Sequence, residues 1–288
     1  MSEPVRYMAL TRRRYEALGY EPYRWAASDT PPPFRRLAKP LKGCRVALIS
    51  SAGVYMAGQV AYHYKDDSSL REIPADVAVD KIRFSHVTEH LLGDARKDPG
   101  ALFPIAALRE AAADGLIEGV ADPLLSCMGG VYSQRRVRED LQPTLLAAVA
   151  SRQIDAAVLV ALCPVCHQTM ATLARAIEGA GIPTVMLASP LDIVEAVNPP
   201  RALFLDYPLG HTAGRPNDKA EQKAILRRAL SALETMQAPE ILRLDYRWAA
   251  SDDWKKKLLE ETAEDKRAPR DLTPRYQTDE DRRLAEGA

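Results

Sequence analysis

The sequence predicts an α/β fold of three layers with a mostly parallel central sheet, and three observations predict it. Short apolar runs rich in β-branched residues recur between residues 44 and 234, segments of helical period separate them, and the runs lack the polar alternation of a half-solvated sheet. Strands of that kind are buried on both faces, which requires helices above and below. With 288 residues, 47% of them hydrophobic, the chain can fill such a core.

Residues 1–40 read as a helical N-terminal arm whose amphipathic stretch carries Tyr7, Leu10, Tyr15 and Leu18 and stops before Pro31-Pro-Pro33. Strands are expected at 45–50, 155–160, 183–188 and 201–206, all short, apolar runs. Helices are expected at 104–117, 133–151, 167–180 and 219–236. Pro104 stands where a missing N–H is tolerated, and Gly181 before Ile182-Pro183 ends the helix preceding a strand. Residues 41–240 thus form the α/β domain, and 241–288 a C-terminal anchor and charged tail. The alternating charges after residue 252 predict a solvated helix and then a loose tail. The heptapeptide Tyr23-Arg-Trp-Ala-Ala-Ser-Asp29 recurs as Tyr246-Arg-Trp-Ala-Ala-Ser-Asp252. One pair is not a repeat architecture; two Trp/Arg anchors pinning the arms, or an oligomer contact, account for it.

Lys+Arg and Asp+Glu both number 39, so no net charge draws the protein to nucleic acid. The longest nearly apolar run, Ala156 to Cys166, is much shorter than the roughly 20 residues of a membrane-spanning helix. The first residues show no basic start followed by an apolar stretch, which leads us to expect a cytoplasmic protein. In that compartment four cysteines are not a disulfide framework, and a close pair points to catalysis or metal binding.

The close pair is Cys163-Pro-Val-Cys166-His167, placed directly after an apolar strand at the start of a helix. Free N–H groups and the helix dipole there are expected to lower the pKa of Cys163, Cys166 one turn on can close a disulfide, and a charged His167 would favour the thiolate further. The strand-to-helix junction also puts the pair at the carboxyl edge of the sheet, where open α/β folds bind ligands. Gly129 and Gly130, before a helix, suit a backbone nest for a carboxylate that His211 or Arg215 could also hold.

Other readings of the cysteine pair are a c-type haem attachment, which needs export, a zinc site completed by Cys127 and His167, and two inert buried thiols. His86-Val-Thr-Glu-His90 fits the H-x-x-E-H pattern of inverted zinc peptidases, but Gly93 to Gly100 breaks the helix such a site needs, and polar loop residues account for it. G-x-S-x-G after a strand, G-x-G-x-x-G and G-x-x-x-x-G-K-[ST] are all missing, so neither a nucleophile elbow nor a nucleotide cofactor has support. No bound metal or cofactor is expected.

From residue 5 to 236 the chain resembles the selenoprotein B family of glycine, sarcosine, betaine and D-proline reductases, in particular its shorter D-proline reductase type. The resemblance rests on Tyr64-Lys-Asp-Asp67, Arg71-Glu-Ile-Pro74, Asp94-Ala-Arg-Lys-Asp-Pro99, Met128-Gly-Gly-Val-Tyr-Ser133, Cys163-Pro-Val-Cys-His-Gln168, Gly179-Ala-Gly-Ile-Pro183 and Phe204-Leu-Asp-Tyr-Pro-Leu-Gly-His-Thr-Ala-Gly214. It implies that Cys163 occupies the selenocysteine position and Cys166 that of the resolving cysteine. It further implies reductive cleavage of a C–N or similar C–X bond in a small amino acid or amine activated on a pyruvoyl-bearing partner subunit. Sulfur in place of selenium departs from the family pattern and gives a weaker nucleophile at neutral pH. An external dithiol or thioredoxin-like reductant would restore the pair. His167 would tune the thiolate, or merely cap the helix; His63 with Asp67, and His211 with Thr212, become candidate substrate or partner contacts, or satisfied loop residues. Cys44 and Cys127 are expected to pack. The chain is expected to form a homo-oligomer. The rival reading is a thiol or zinc-binding carrier subunit that performs no reductive cleavage.

Overall fold

The structure is a computed structural model that describes residues 3–260 and 265–287. Helix α1 (Tyr7–Ala17) precedes strands β1 (Arg45–Ser50), β2 (Val54–Met56), β3 (Leu70–Ile73) and β4 (Ile82–Phe84). Next come α2 (Ile105–Ala113), β5 (Gly119–Val120), β6 (Leu124–Cys127), α3 (Gln134–Arg136) and α4 (Gln142–Ala150). The remainder is β7 (Ala156–Val160), α5 (Pro164–Gly179), β8 (Thr184–Ala188), α6 (Leu191–Val197), β9 (Arg201–Phe204), α7 (Lys219–Thr235), β10 (Glu240–Arg243), α8 (Asp253–Glu260) and α9 (Asp279–Glu286).

The main sheet runs β10-β9-β8-β7-β1-β6-β3, with β5 also on β1, and every pairing except β3 with β6 is parallel. Helices α2 and α7 pack together on one face, and α4, α5 and α6 cover the other. All residues of β7, β8 and β9 are buried, as their unbroken apolar character requires. From β1 the sheet grows to β6 on one side and then to β7 on the other, so the strand order reverses at the β1–β7 pair. The carboxyl ends of these two strands, Ser50-Ser51 and Ala161 to Cys163, therefore flank the crevice where such sheets hold ligands.

The expected helix at 133–151 is three segments, α3, a π turn at Val137–Leu141, and α4. Pro143 has no N–H for the preceding turn, and the wider π turn makes room for its ring. The arm is helical where its apolar stripe predicts: Tyr7 and Leu10 pack with Val5 and Ile193 on α6. Farther along, the Glu178 carboxylate takes hydrogen bonds from Arg35 N and Thr184 N and pairs with Arg201, whose guanidinium stacks 3.8 Å from the Phe34 ring centre. Both partners of this ion pair have fully buried side chains, so one contact ties the arm, α5, β8 and β9.

The boundary drawn at residue 240 falls inside β10, which extends the sheet in parallel with β9. The loose tail is a correction. Residues 265–278 pair with the body through Ala268 N to Val87 O, Arg275 N to Tyr62 O and Lys65 N to Asp271 O, at 2.9–3.1 Å. Buried Asp281 accepts both of its bonds from Arg83 Nε, at 2.9 and 3.0 Å. Alternating charge is satisfied here by ion pairs to the body rather than by water alone. Residues 261–264 and 288 of the predicted tail lie outside the described residues.

The two heptapeptides meet different surroundings. In the first, Gln168 grips the backbone, accepting from Ala26 N at 2.6 Å and donating to the Tyr23 hydroxyl at 3.0 Å. In the second, Trp248 rests against Tyr207 and His211, and its carbonyl accepts from Arg215 Nε at 3.2 Å.

Candidate active site

Strand β7 delivers the chain to Cys163, which caps α5 with extended backbone and accepts the Cys166 N–H on its sulfur at 3.3 Å. Pro164, at the first helical turn, has no N–H to leave unpaired. One turn on, Cys166 Sγ lies 3.1 Å from Cys163 Sγ. Both are free thiols, and both are buried.

The third member comes from 80 residues upstream. After β4 the chain turns so that His86 Nε2 stands 3.1 Å from Cys166 Sγ, while its Nδ1 meets Thr88 Oγ1 at 2.8 Å and accepts the Thr88 backbone N–H at 3.1 Å. A backbone N–H can only donate, so the neutral ring carries its proton on Nε2 and directs it at Cys166.

Burial opposes ionisation of Cys166, yet the bond from the Cys163 thiol and the field and hydrogen bond of His86 hold it well below an ordinary thiol. For Cys163 burial and the neighbouring sulfur dominate and push the thiol up, although helix N–H groups pull the other way. The direction differs from the expectation of a lowered Cys163: its sulfur does cap the helix, but burial and the neighbouring sulfur raise its thiol, and it is the Cys166 thiol that is lowered. Two sulfurs joined by one S–H···S contact titrate as a unit.

His167 touches neither sulfur. Its Nδ1 lies 2.7 Å from the Cys163 carbonyl and its Nε2 accepts the Ser189 N–H at 3.2 Å, so both nitrogens are committed to backbone. Burial drops its pKa to about 4 and keeps the ring neutral. It fixes the loop that presents Cys163, and the expected thiolate-tuning role belongs to His86.

Gly129 and Gly130 serve the site from beneath. A Cβ on Gly129 would collide with the Ser51 side chain and lie 3.1 Å from Cys166 Sγ; one on Gly130 would lie 3.0 Å from His86 Nε2. Their missing side chains let the backbone close against the thiol and the imidazole. The Gly129 N–H is given to Ser51 O, so it is not part of a nest for a carboxylate. The neighbouring N–H groups of Tyr132 and Ser133 do hold one, from Asp66 of this chain, at 2.6 and 3.3 Å.

The remaining sequence candidates stand apart from the thiols. His211 pairs with Asp94 at 3.1 Å and packs on Trp248; Thr212 donates to Ala161 O at 2.6 Å and braces the end of β7; Arg215 binds Glu221 and Trp248 O. Asp67 accepts from His63 N and from Ser69. Cys44 and Cys127 are buried, and burial raises both thiols.

A cavity of about 130 Å³ opens above Cys163. Tyr7 and Tyr15 of α1, Trp25 of the arm, Tyr132 and Arg267 of the tail line it; none of His63, Asp67, Gly129, Gly130, His211, Thr212 and Arg215 does. Cys163 reaches the cavity and Cys166 does not. Arg267 lies 5.1–5.7 Å from the ring centres of Tyr15, Tyr20 and Tyr132 and pairs with Asp265. The buried Tyr7 hydroxyl has no partner among the described residues. A cavity of about 160 Å³ beside Trp248 is not lined by either thiol. No helix among the described residues is long and apolar enough to cross a membrane.

Fold and site together define a dithiol α/β protein, with paired sulfurs at the reversal of a parallel sheet and only one of them open to a cavity. Over 223 residues the chain is 35% identical to D-proline reductase subunit gamma of Acetoanaerobium sticklandii, covering 77% of this chain and 92% of that protein. It is 26% identical over 227 residues to glycine reductase complex component B subunit gamma of Symbiobacterium thermophilum, covering 71% of this chain and 48% of the relative. Against sarcosine reductase complex component B subunit beta of Peptoclostridium acidaminophilum the identity is 28% over 146 residues, 48% of this chain and 33% of the relative. No family model and no solved structure matches. The chain belongs to the family of amino-acid reductase component B subunits, of the D-proline reductase type.

Proposed function

We propose that this chain supplies the dithiol of an amino-acid reductase complex and cleaves a C–N or similar C–X bond of a small amino acid or amine. The observation that carries the reading is the 3.1 Å approach of Cys163 to Cys166, with the imidazole of His86 on the far sulfur and the cavity on the near one. The names of the relatives favour a complex with partner subunits; in this reading one of them activates the substrate through a pyruvoyl group, as the family resemblance implies.

In this scheme the Cys163 proton crosses to Cys166, and the Cys163 thiolate attacks the carbon bearing the nitrogen. The C–S bond forms as the C–N bond breaks, and the departing nitrogen takes the proton held on Cys166 through a water relay, since Cys166 itself does not reach the cavity. Cys166, again a thiolate beside His86, attacks Cys163 Sγ; the C–S electron pair returns to carbon, which takes a proton from water. The substrate carbon gains two electrons, the dithiol becomes a disulfide, and an external dithiol or thioredoxin-like protein reduces it.

Equilibrating the protein in thiol–disulfide buffers tests the reading. It expects one Cys163–Cys166 disulfide to form and disappear reversibly, with Cys44 and Cys127 left as thiols. A pair that stays reduced throughout, or oxidation at other cysteines, contradicts it.

A further inference from the structure

We infer that Cys163, Cys166 and His86 form a three-donor site for a soft divalent cation of the zinc class, with the fourth coordination position turned toward the cavity. Their donor atoms all lie within 4.8 Å of one another, and all three residues are buried. Tetrahedral zinc with Zn–S of about 2.3 Å and Zn–N of about 2.0–2.1 Å spreads its donors somewhat wider than the 3.1 Å contacts here, a change that side-chain rotation provides. Zinc enzymes use this Cys₂His set with an open fourth position. The set differs from the one considered from the sequence, because neither Cys127 nor His167 belongs to it.

Charge favours the cation. A buried thiolate is expensive to desolvate, whereas two thiolates with one divalent cation are neutral as a unit. Binding converts one thiol and one thiolate into two metal-bound sulfurs and releases one proton. Metal binding through Nε2 moves the imidazole proton to Nδ1, where Thr88 Oγ1, at 2.8 Å, can accept it at the cost of the 3.1 Å bond that Nδ1 now accepts from the Thr88 backbone N–H. Zinc and the disulfide are mutually exclusive, since a disulfide has no thiolate to offer. The cation would thus hold the pair reduced and keep Cys163 from attacking anything in the cavity.

The inference rests on the same dithiol as the reductase reading but needs no turnover to test. Anaerobic, thiol-reduced full-length protein is titrated with Zn²⁺ alone and, separately, with Co²⁺ as a spectroscopic probe. Expected are one equivalent bound, visible bands of tetrahedral cobalt thiolate, and protection of Cys163 from iodoacetamide. Cys166→Ser should abolish binding and His86→Ala weaken it at least tenfold, with Cys127→Ser unchanged. Wild-type protein alkylated at Cys163 should bind at least tenfold more weakly, which gives an answer even where a variant fails to fold. Absence of stoichiometric binding, or binding indifferent to Cys166 and His86, overturns the inference. Reversible disulfide formation without metal binding sinks the metal site alone; metal binding by a pair that never forms a disulfide sinks the reductase reading alone.

Discussion

His86 Nε2 and Cys163 Sγ each stand 3.1 Å from Cys166 Sγ, the sulfur of the pair that does not reach the cavity. The histidine thereby favours the thiolate of Cys166, and Cys163, the buried cysteine that meets the cavity, becomes nucleophilic only when it passes its proton inward.

The two cysteines should fail differently. Cys163→Ser should abolish turnover, while Cys166→Ala should allow one attack and stall as an adduct on Cys163 that mass spectrometry detects. Multiple turnover by either variant counts against the two-sulfur scheme.

Replacing His86 removes a hydrogen bond to a charged group, worth about 1.5–3 kcal/mol, so His86→Ala should slow thiolate-dependent turnover about ten- to hundredfold. Because the imidazole acts through Cys166, the pH at which the rate rises should move upward as well. His86→Gln, which keeps an N–H donor, should recover part of both effects. An unchanged pH–rate profile would separate His86 from the thiol pair.

Acid should weaken the fold through His167. Its pKa is about 4 folded and about 6.5 unfolded, so between those values the unfolded chain binds a proton that the native one refuses. Stability is unaffected by this group above pH 6.5 and falls as pH drops toward 4, by about 3 kcal/mol in all. Urea unfolding of wild type and His167→Asn across this range checks it: the variant's curve should be the flatter.

Breaking the Glu178–Arg201 pair should be among the costliest changes away from the thiols. Glu178→Ala leaves a buried guanidinium without its anion and should lose about 3–5 kcal/mol, while Glu178→Leu combined with Arg201→Met should recover much of it. Denaturant midpoints of the variants measure this directly.

The tail guards the site. Removing residues 265–288 takes Arg267 off Tyr15 and Tyr132 and should speed alkylation of Cys163 about tenfold or more, as loss of about 1.4 kcal/mol of protection would. Unchanged reactivity would show that the cavity is as open with the tail as without it.

The sheet was legible because its strands are unbroken apolar runs: β1 matches its expected span residue for residue, and β7 and β8 begin one residue later than expected. Strand β6 escaped notice because Leu124-Leu-Ser-Cys127 is only four residues long, and β10 because Glu240 and Arg243, exposed at the sheet edge, break its apolar character. The cysteine pair was legible from local spacing. His86 was not, since its partnership with Cys166 spans 80 residues of chain and arises only when the loop after β4 folds over the sheet edge. The H-x-x-E-H pattern did mark His86, for a chemistry its short 3₁₀ turn does not support. In the tail, the charge pattern recorded polarity but not the partners, such as Arg83 for Asp281, that order it.

The most direct test of the dithiol mechanism is a count of disulfides against product in a single turnover. Fully reduced protein is mixed with the pyruvoyl-bearing subunit that the proposed function calls for and an amino-acid substrate, D-proline first, in the absence of any other reductant. The mechanism predicts one Cys163–Cys166 disulfide for each substrate bond cleaved. Product formed while both thiols stay free, or a disulfide that engages Cys127 instead, would contradict it.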